Sequence, residues 1–190
     1  VTKERKSSDL TTEIRYAREK WQFTGKTRPD FAIEPRKGQE SVWDYPRPPR
    51  LAPDTRAVHV IVEGVLIADT RNAVRVLETA SPPVFYIPPK HVYWDYLEQS
   101  ATTAVCEWKG RAAYWSVRVG DTFIEDAAWA YPTPFPGFEA IARYVSFYPA
   151  KVECRVAGLV VRPQPGNVYG GWITPEIVGP FKGAPGTEWW

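Results

Sequence analysis

Residues 112–131 read Ala-Ala-Tyr-Trp-Ser-Val-Arg-Val at 112–119, Gly-Asp at 120–121 and Thr-Phe-Ile-Glu-Asp-Ala-Ala-Trp-Ala-Tyr at 122–131. Two runs rich in aromatic and β-branched residues, parted by a Gly-Asp pair, predict an antiparallel hairpin with a two-residue turn. With the turn at Gly120-Asp121, Val119 faces Thr122, Val117 faces Ile124, Trp115 faces Asp126 and Ala113 faces Ala128. Side chains alternate along a strand, so these residues share one face, and Asp126 is its one charge. A carboxylate among apolar groups loses hydration, which favours its neutral form unless a cation or N–H donors compensate. Asp126 is therefore either a tuned acid or base against the Trp115 ring, or an internal partner of Arg75, Lys109 or a neighbouring loop.

Hairpin signals continue on both sides. Val58–Val62, Glu63-Gly64 and Val65–Asp69 predict a second two-residue hairpin. Ala73–Leu77 and Val84–Ile87 read as short strands, the latter closed by Pro82-Pro83 and Pro88-Pro89, since proline cannot donate to a ladder. His91–Leu97 and Thr103–Trp108 extend the strand pattern. After the prolines at 132, 134 and 136, the residues from Phe138 to Arg143 read as a helical turn, followed by strands over Tyr144–Tyr148 and Val152–Ala157. The expected fold is mainly β, made of small twisted antiparallel sheets built from hairpins, with its domain over residues 52–157.

Residues 1–51 precede that domain. Leu10, Ile14, Ala17 and Trp21 recur at helical spacing among charged residues, predicting a short amphipathic helix over Leu10–Trp21 with Ser8 or Asp9 as its cap. From Thr24 the chain is a proline-rich strap, and Trp43-Asp-Tyr-Pro-Arg-Pro-Pro-Arg50 is expected to be extended. Engagement of a partner's groove by this strap is the functional alternative. Residues 158–190 are punctuated by Gly and Pro yet hold Trp172, Ile173, Ile177, Val178, Phe181, Trp189 and Trp190. So many large apolar groups do not suit a solvated linker, and the tail is expected to wrap the β domain.

The 190 residues are enough to bury a sizeable core, and nine Trp with ten Tyr supply either that core or a ring-lined pocket. Residues 1–56 hold 13 Lys and Arg against 9 Asp and Glu, whereas residues 57–190 hold 11 against 13. A mildly acidic domain with a small overall excess of +2 does not suit nucleic acid or a membrane surface as partner. The charged start, Val1 to Asp9, has no apolar segment of a secretory leader, and a cytoplasmic protein is expected. Cys106, Cys154, His59 and His91 lack zinc-ligand spacing, so neither metal nor other cofactor is expected. The G-x-S-x-G, Walker, G-x-G-x-x-G and H-E-x-x-H motifs are absent.

Two further places carry chemistry-bearing residues. Arg75 sits between Val74 and Val76, where a guanidinium needs an anionic ligand or an internal carboxylate such as Glu78 or Asp126. Lys109 lies in the turn Trp108-Lys109-Gly110, either solvated or turned to a ligand. Tyr86, Tyr114, Tyr131 and Tyr148 supply rings with polar tips for a pocket or a core, and Trp129 a further ring.

The segments WDYPRPP (43–49), VEGVLIADTRNAVRVLETASPPVFYIPP (62–89), CEWKGRAAYWSV (106–117), DAAWAYPTP (126–134) and IARYVSFYPAKVE (141–153) together resemble the family called domain of unknown function 427. The family pattern falls on Arg75, Glu78, Pro82, Pro83, Tyr86, Cys106, Lys109, Gly110, Tyr114, Trp115, Ala128, Trp129, Tyr131 and Pro132. This resemblance implies a β-tent-like fold, here zinc-free because the paired C-x-x-C is missing. It also implies the label nucleotidyltransferase family 9. Nucleotidyl transfer uses paired carboxylates to hold Mg²⁺, whereas the adjacent Glu125 and Asp126 should face opposite ways on a strand.

The expected function is small-molecule binding, with metal-free acid/base chemistry on an anionic or aromatic ligand. Asp126, Glu78 and Lys109 are the expected catalytic groups; Arg75, Tyr86, Tyr114, Trp115, Trp129 and Tyr131 are the expected ligand contacts. The alternatives are Mg²⁺-dependent nucleotidyl transfer and a non-catalytic interaction module.

Overall fold

The computed structural model describes the backbone of residues 7–190 and the side chains from residue 11 onward. A helix α1 (Ser7–Glu19) is followed by short strand β1 (Glu40–Ser41), then β2 (Arg50–Asp54), β3 (Val58–Val62), β4 (Val65–Thr70), β5 (Ala73–Leu77) and β6 (Val84–Tyr86). Three longer strands come next, β7 (Leu97–Cys106), β8 (Gly110–Val119) and β9 (Thr122–Ala130), then β10 (Val145–Phe147) and β11 (Glu153–Val156). The last four are two-residue strands, β12 (Leu159–Val160), β13 (Arg162–Pro163), β14 (Trp172–Ile173) and β15 (Ile177–Val178). The molecule is mainly β, as the alternation and the Gly-containing turns predict. α1 begins earlier and ends earlier than the helix expected over Leu10–Trp21, and the cap role of Ser8 or Asp9 concerns side chains outside the described residues.

Two four-stranded antiparallel sheets, ordered β10-β9-β8-β7 and β12-β11-β3-β4, enclose the main core. Val58, Val60, Val117, Ala128 and Phe147 meet there with no or almost no exposure, as the inward positions of alternating strands should. A third antiparallel sheet, β2-β5-β6, is joined to β10 by reciprocal bonds between Ile87 and Val145. Both two-residue turns stand where the sequence puts them, with Val62 opposite Val65 and Val119 opposite Thr122. The segment 91–97 differs from expectation: it is two 3₁₀ turns, Pro89–His91 and Trp94–Tyr96, because Pro88 and Pro89 remove ladder donors and favour a turn.

The flanking segments are built into this frame. In the strap, Val42–Asp44 forms a 3₁₀ turn instead of an extended run, and Ser41 Oγ accepts the Trp43 N–H in place of a missing backbone partner. Trp43 is 0% exposed and meets Phe23, Phe31 and Trp190 edge-on at ring separations of 5.2, 5.1 and 5.2 Å. In the tail, Trp172 is likewise fully buried, stacks on Phe85 at 5.0 Å and donates its indole N–H to the Phe147 carbonyl at 3.0 Å. β1 of the strap pairs in parallel with β15 of the tail.

A strap whose Trp43 is fully buried among Phe23, Phe31 and Trp190 cannot offer that ring to a partner without unfolding. Trp43→Ala should destabilise the protein by about 3–5 kcal/mol, the range for removing a large aromatic group from a core. Urea denaturation measures this, and a loss under about 1 kcal/mol would show that the strap is a loosely attached arm.

Candidate functional site

Alternation along β5 and β6 turns Val76 and Glu78, with Val84 and Tyr86, toward the second cluster of rings. Alternation along β8 and β9 brings Ala112, Tyr114, Trp129 and Tyr131 to the same place. Between these walls lies a cavity of about 610 Å³, within the roughly 300–1,000 Å³ of small-molecule sites. Ala17 of α1 and the following Trp21 reach it from one side; Gln164, Tyr169, Gly170 and Lys182 of the tail reach it from another.

The rings are fixed against each other. Trp129 donates its indole N–H to the Tyr86 hydroxyl at 3.2 Å and lies 4.3 Å from the Tyr148 ring. Gly170 lets the tail pass over that indole, since a Cβ there would stand 2.1 Å from the Trp129 ring. Burial pushes the Tyr86 phenol up to about 12, with Lys109 opposing the rise. Burial likewise raises Tyr131 and Tyr148, so all three hydroxyls are neutral hydrogen-bonding groups at neutral pH.

Two buried lysines enter this ring-lined space, and the exposed Lys20 stands at its edge. Lys109 is only 8% exposed, because Gly110, with φ of 99°, folds the turn back over the sheet, where the Lys109 carbonyl accepts the Phe135 N–H at 3.1 Å. Burial opposes its charge, yet Cys106, Tyr86 and Glu78 outweigh that and raise its pKa, so Lys109 is a cation in the wall. Lys182 is 3% exposed, with its backbone N–H bound to the Ala80 carbonyl at 2.8 Å and its own carbonyl bound by the Gln164 amide at 2.8 Å. Its ammonium lies 3.6 Å from the Trp21 ring centroid and 3.2 Å from the Trp190 main-chain oxygen. Burial, followed by the Arg47 guanidinium, pushes Lys182 down to about 8; Glu78 and Glu107 resist the fall and Lys20 adds to it.

Arg47 lies behind this part of the wall, against Glu78 and Trp21. Its side chain, 2% exposed, gives Nε to Glu78 at 3.0 Å, Nη1 to the Phe23 carbonyl at 2.9 Å and Nη2 to Thr79 and Trp190 oxygens at 3.0 and 2.9 Å. Its guanidinium carbon stands 4.2 Å from the Trp21 ring, so one indole carries both cations.

Of the residues expected at a site, Glu78, Lys109, Tyr86, Tyr114, Trp129 and Tyr131 line the cavity, whereas Arg75, Trp115 and Asp126 do not. Arg75 points to the opposite side of β5 from Val76 and Glu78, and its ion pairs are Asp54 at 3.3 Å and Glu40 at 3.2 Å instead of Glu78 or Asp126. Trp115 packs on the main core and meets Trp94 edge-on at 5.8 Å.

Asp126 departs from expectation because the hairpin register slips beyond Ile124. Trp115 faces Ala128, and β9 sets Glu125, Asp126 and Ala127 against Ser116 alone. β7 has a matching bulge, with Ser100, Ala101 and Thr102 against Tyr114. Asp126, at φ of 47°, accepts the Thr102 hydroxyl at 2.7 Å and donates its N–H to Ser116 Oγ at 3.1 Å, tying the two bulges together across β8. Lys151 adds bonds to the Glu125 and Asp126 carbonyls at 2.8 and 3.1 Å.

Sequence reasoning passed over Cys106, Glu107, Trp21, Tyr169 and Lys182 as cavity residues. For Lys182 the available signal was a lysine directly after the uncharged stretch Ile177 to Phe181 and ahead of Gly183. Both cysteines are free thiols. Among the described residues, no three His, Cys, Asp or Glu side chains are grouped as metal ligands, and no helix is long and apolar enough to cross a membrane.

These features define a mainly β protein whose hairpin domain holds a ring-lined cavity with buried lysines. The family model described as a domain of unknown function, DUF427 (NTP_transf_9), matches residues 50–158, and the chain belongs to that family. No curated protein matches the chain at a significant level.

Two outcomes are expected from these contacts. Asp126→Ala loses the Thr102 bond and places an alanine at positive φ, which should cost about 1–2 kcal/mol in denaturant unfolding. Lys182 sheds its proton more readily in the folded protein than in the unfolded chain. The unfolded state therefore binds more protons between about pH 8 and the ordinary lysine range near 10.5, and wild-type stability rises with pH across that window. Below pH 8 both states are protonated and the full penalty of the buried charge is present. Relative to Lys182→Met, wild type should gain in Tm from pH 7 to pH 10; a gap independent of pH would contradict the lowered pKa.

Proposed function

We propose that the cavity binds a small aromatic ligand carrying an acidic group and that acid/base chemistry there needs no metal. The observation that supports this is the convergence of Tyr86, Tyr114, Trp129, Tyr131 and Tyr148 around the buried ammonium of Lys109. Rings give stacking and edge contacts to a planar ligand, and a desolvated cation in their midst gives a carboxylate or phosphate one strong, charge-assisted hydrogen bond. In this reading Glu78, in the same wall and tied to Arg47, moves a proton to or from the ligand, while the Lys109 ammonium holds the acidic group. Asp126 takes a structural role in this reading.

Mg²⁺-dependent nucleotidyl transfer is the second reading, favoured by the family's NTP_transf_9 designation. The ring-and-lysine lining supports the first reading, and no grouped carboxylates among the described residues support the second.

Titration of the tryptophan fluorescence with substituted benzoates should give saturable quenching. Lys109→Met should weaken the tightest of them about tenfold, ~1.4 kcal/mol, while the uncharged benzamides bind both proteins alike. Quenching that Lys109→Met leaves untouched, together with a thermal shift by a nucleoside triphosphate that needs Mg²⁺, would favour the alternative.

A further inference from the structure

Lys182 lies outside the segment that defines the family and is unused by the reading above, yet it is one of the residues lining the cavity. Its setting is unlike that of a lysine kept for charge. It is almost wholly removed from water, and the acceptor of its ammonium is an oxygen that Arg47 Nη2 already binds at 2.9 Å, so two cationic heads meet at one atom. The titratable groups that act on it are Arg47 and Lys20, which favour the neutral amine, and Glu78 and Glu107, which oppose them. The Tyr169 ring stands 5.3 Å away. A lysine desolvated beside a second cation is the arrangement that makes an amine nucleophilic near neutral pH.

We propose that Lys182 condenses with the carbonyl group of an aromatic aldehyde or ketone held in the cavity, forming an imine. The proposal rests on the reading of the cavity as an aromatic-anion site, and it names the reactive group that such a ligand carries. The neutral amine still donates an N–H to the Trp190 oxygen, and its lone pair attacks the carbonyl carbon. The C–O π bond breaks, the oxygen takes a proton, and nitrogen loses one. The carbinolamine then expels water as nitrogen loses its second proton, leaving C=N in place of C=O. No oxidant or reductant enters. Glu78 and Glu107, both in the cavity wall, are the carboxylates available to carry these protons. Lys109, already cationic, holds the ligand's acidic group and does not compete as nucleophile. Reversible capture of this kind suits either a carbonyl substrate activated as its iminium or a carrier that holds a reactive aldehyde away from water.

The test is reductive trapping on the full chain. Wild-type protein is incubated with 4-formylbenzoate, reduced with borohydride and mapped by peptide mass spectrometry. One adduct is expected, at Lys182, with the mass of the aldehyde less water plus two hydrogens. Its yield should rise with pH to a midpoint near 8, the value set by burial and Arg47. Lys182→Arg should abolish it, and 4-methylbenzoate, which has the ring and the acid but no carbonyl, should protect against it. Because the adduct is mapped in wild type, the outcome does not depend on the variant folding. Labelling spread over exposed lysines such as Lys37 and Lys90, with 4-methylbenzoate still quenching saturably, would overturn the imine and leave the cavity reading standing. Spread labelling without saturable quenching would overturn both.

Discussion

One buried guanidinium ties together the parts of this chain that the β domain alone does not hold. Arg47 reaches the segment after α1 through the Phe23 carbonyl, the end of β5 through Glu78 and Thr79, and the tail through Trp190. Removing a cation of this size from water costs several kcal/mol unless its donors are matched, and here Nε, Nη1 and Nη2 each have an acceptor. Breaking such a set by removing one partner costs about 3–5 kcal/mol, because the remaining groups are left desolvated and unpaired. The strap, the segment after the helix and the tail are thus selected together: Arg47 is fully satisfied only when all of them are in place.

The cavity inherits this dependence. Its floor and walls come from hairpins that form by local turn geometry, whereas the groups that close it come from residues far apart in sequence. Trp21 takes its place between Arg47 and Lys182, and Gly170 brings the tail onto Trp129. A rigid aromatic wall and a closure set by long-range contacts separate two tasks. The wall fixes the plane of a ligand, and the closure fixes the electrostatic field at its end.

The hairpins were legible because a Gly-Asp or Glu-Gly turn sets register without reference to anything distant. The same reasoning failed at Asp126, where the register depends on a second bulge on β7 and on the Thr102 hydroxyl that meets the carboxylate over β8. In the structure alternation turns Tyr86, Tyr114 and Trp129 to the cavity and Arg75 and Trp115 away from it. Trp43 was misread because proline content predicts an extended backbone but not what a neighbouring ring will bury against. The lowered pKa of Lys182 was not legible for a related reason: it comes from burial and then from Arg47, 135 positions earlier, and no local pattern encodes either.

The shared oxygen of Trp190 has a temporal meaning as well as a spatial one. In an unfolded or partly folded chain Arg47 and Lys182 are far apart and hydrated, and the Lys182 amine has the basicity of any other lysine. Its proton is loosened when folding buries the side chain and brings the Arg47 guanidinium beside it. The chain therefore carries no unusually reactive amine while it is being made, and acquires one as a product of completed folding.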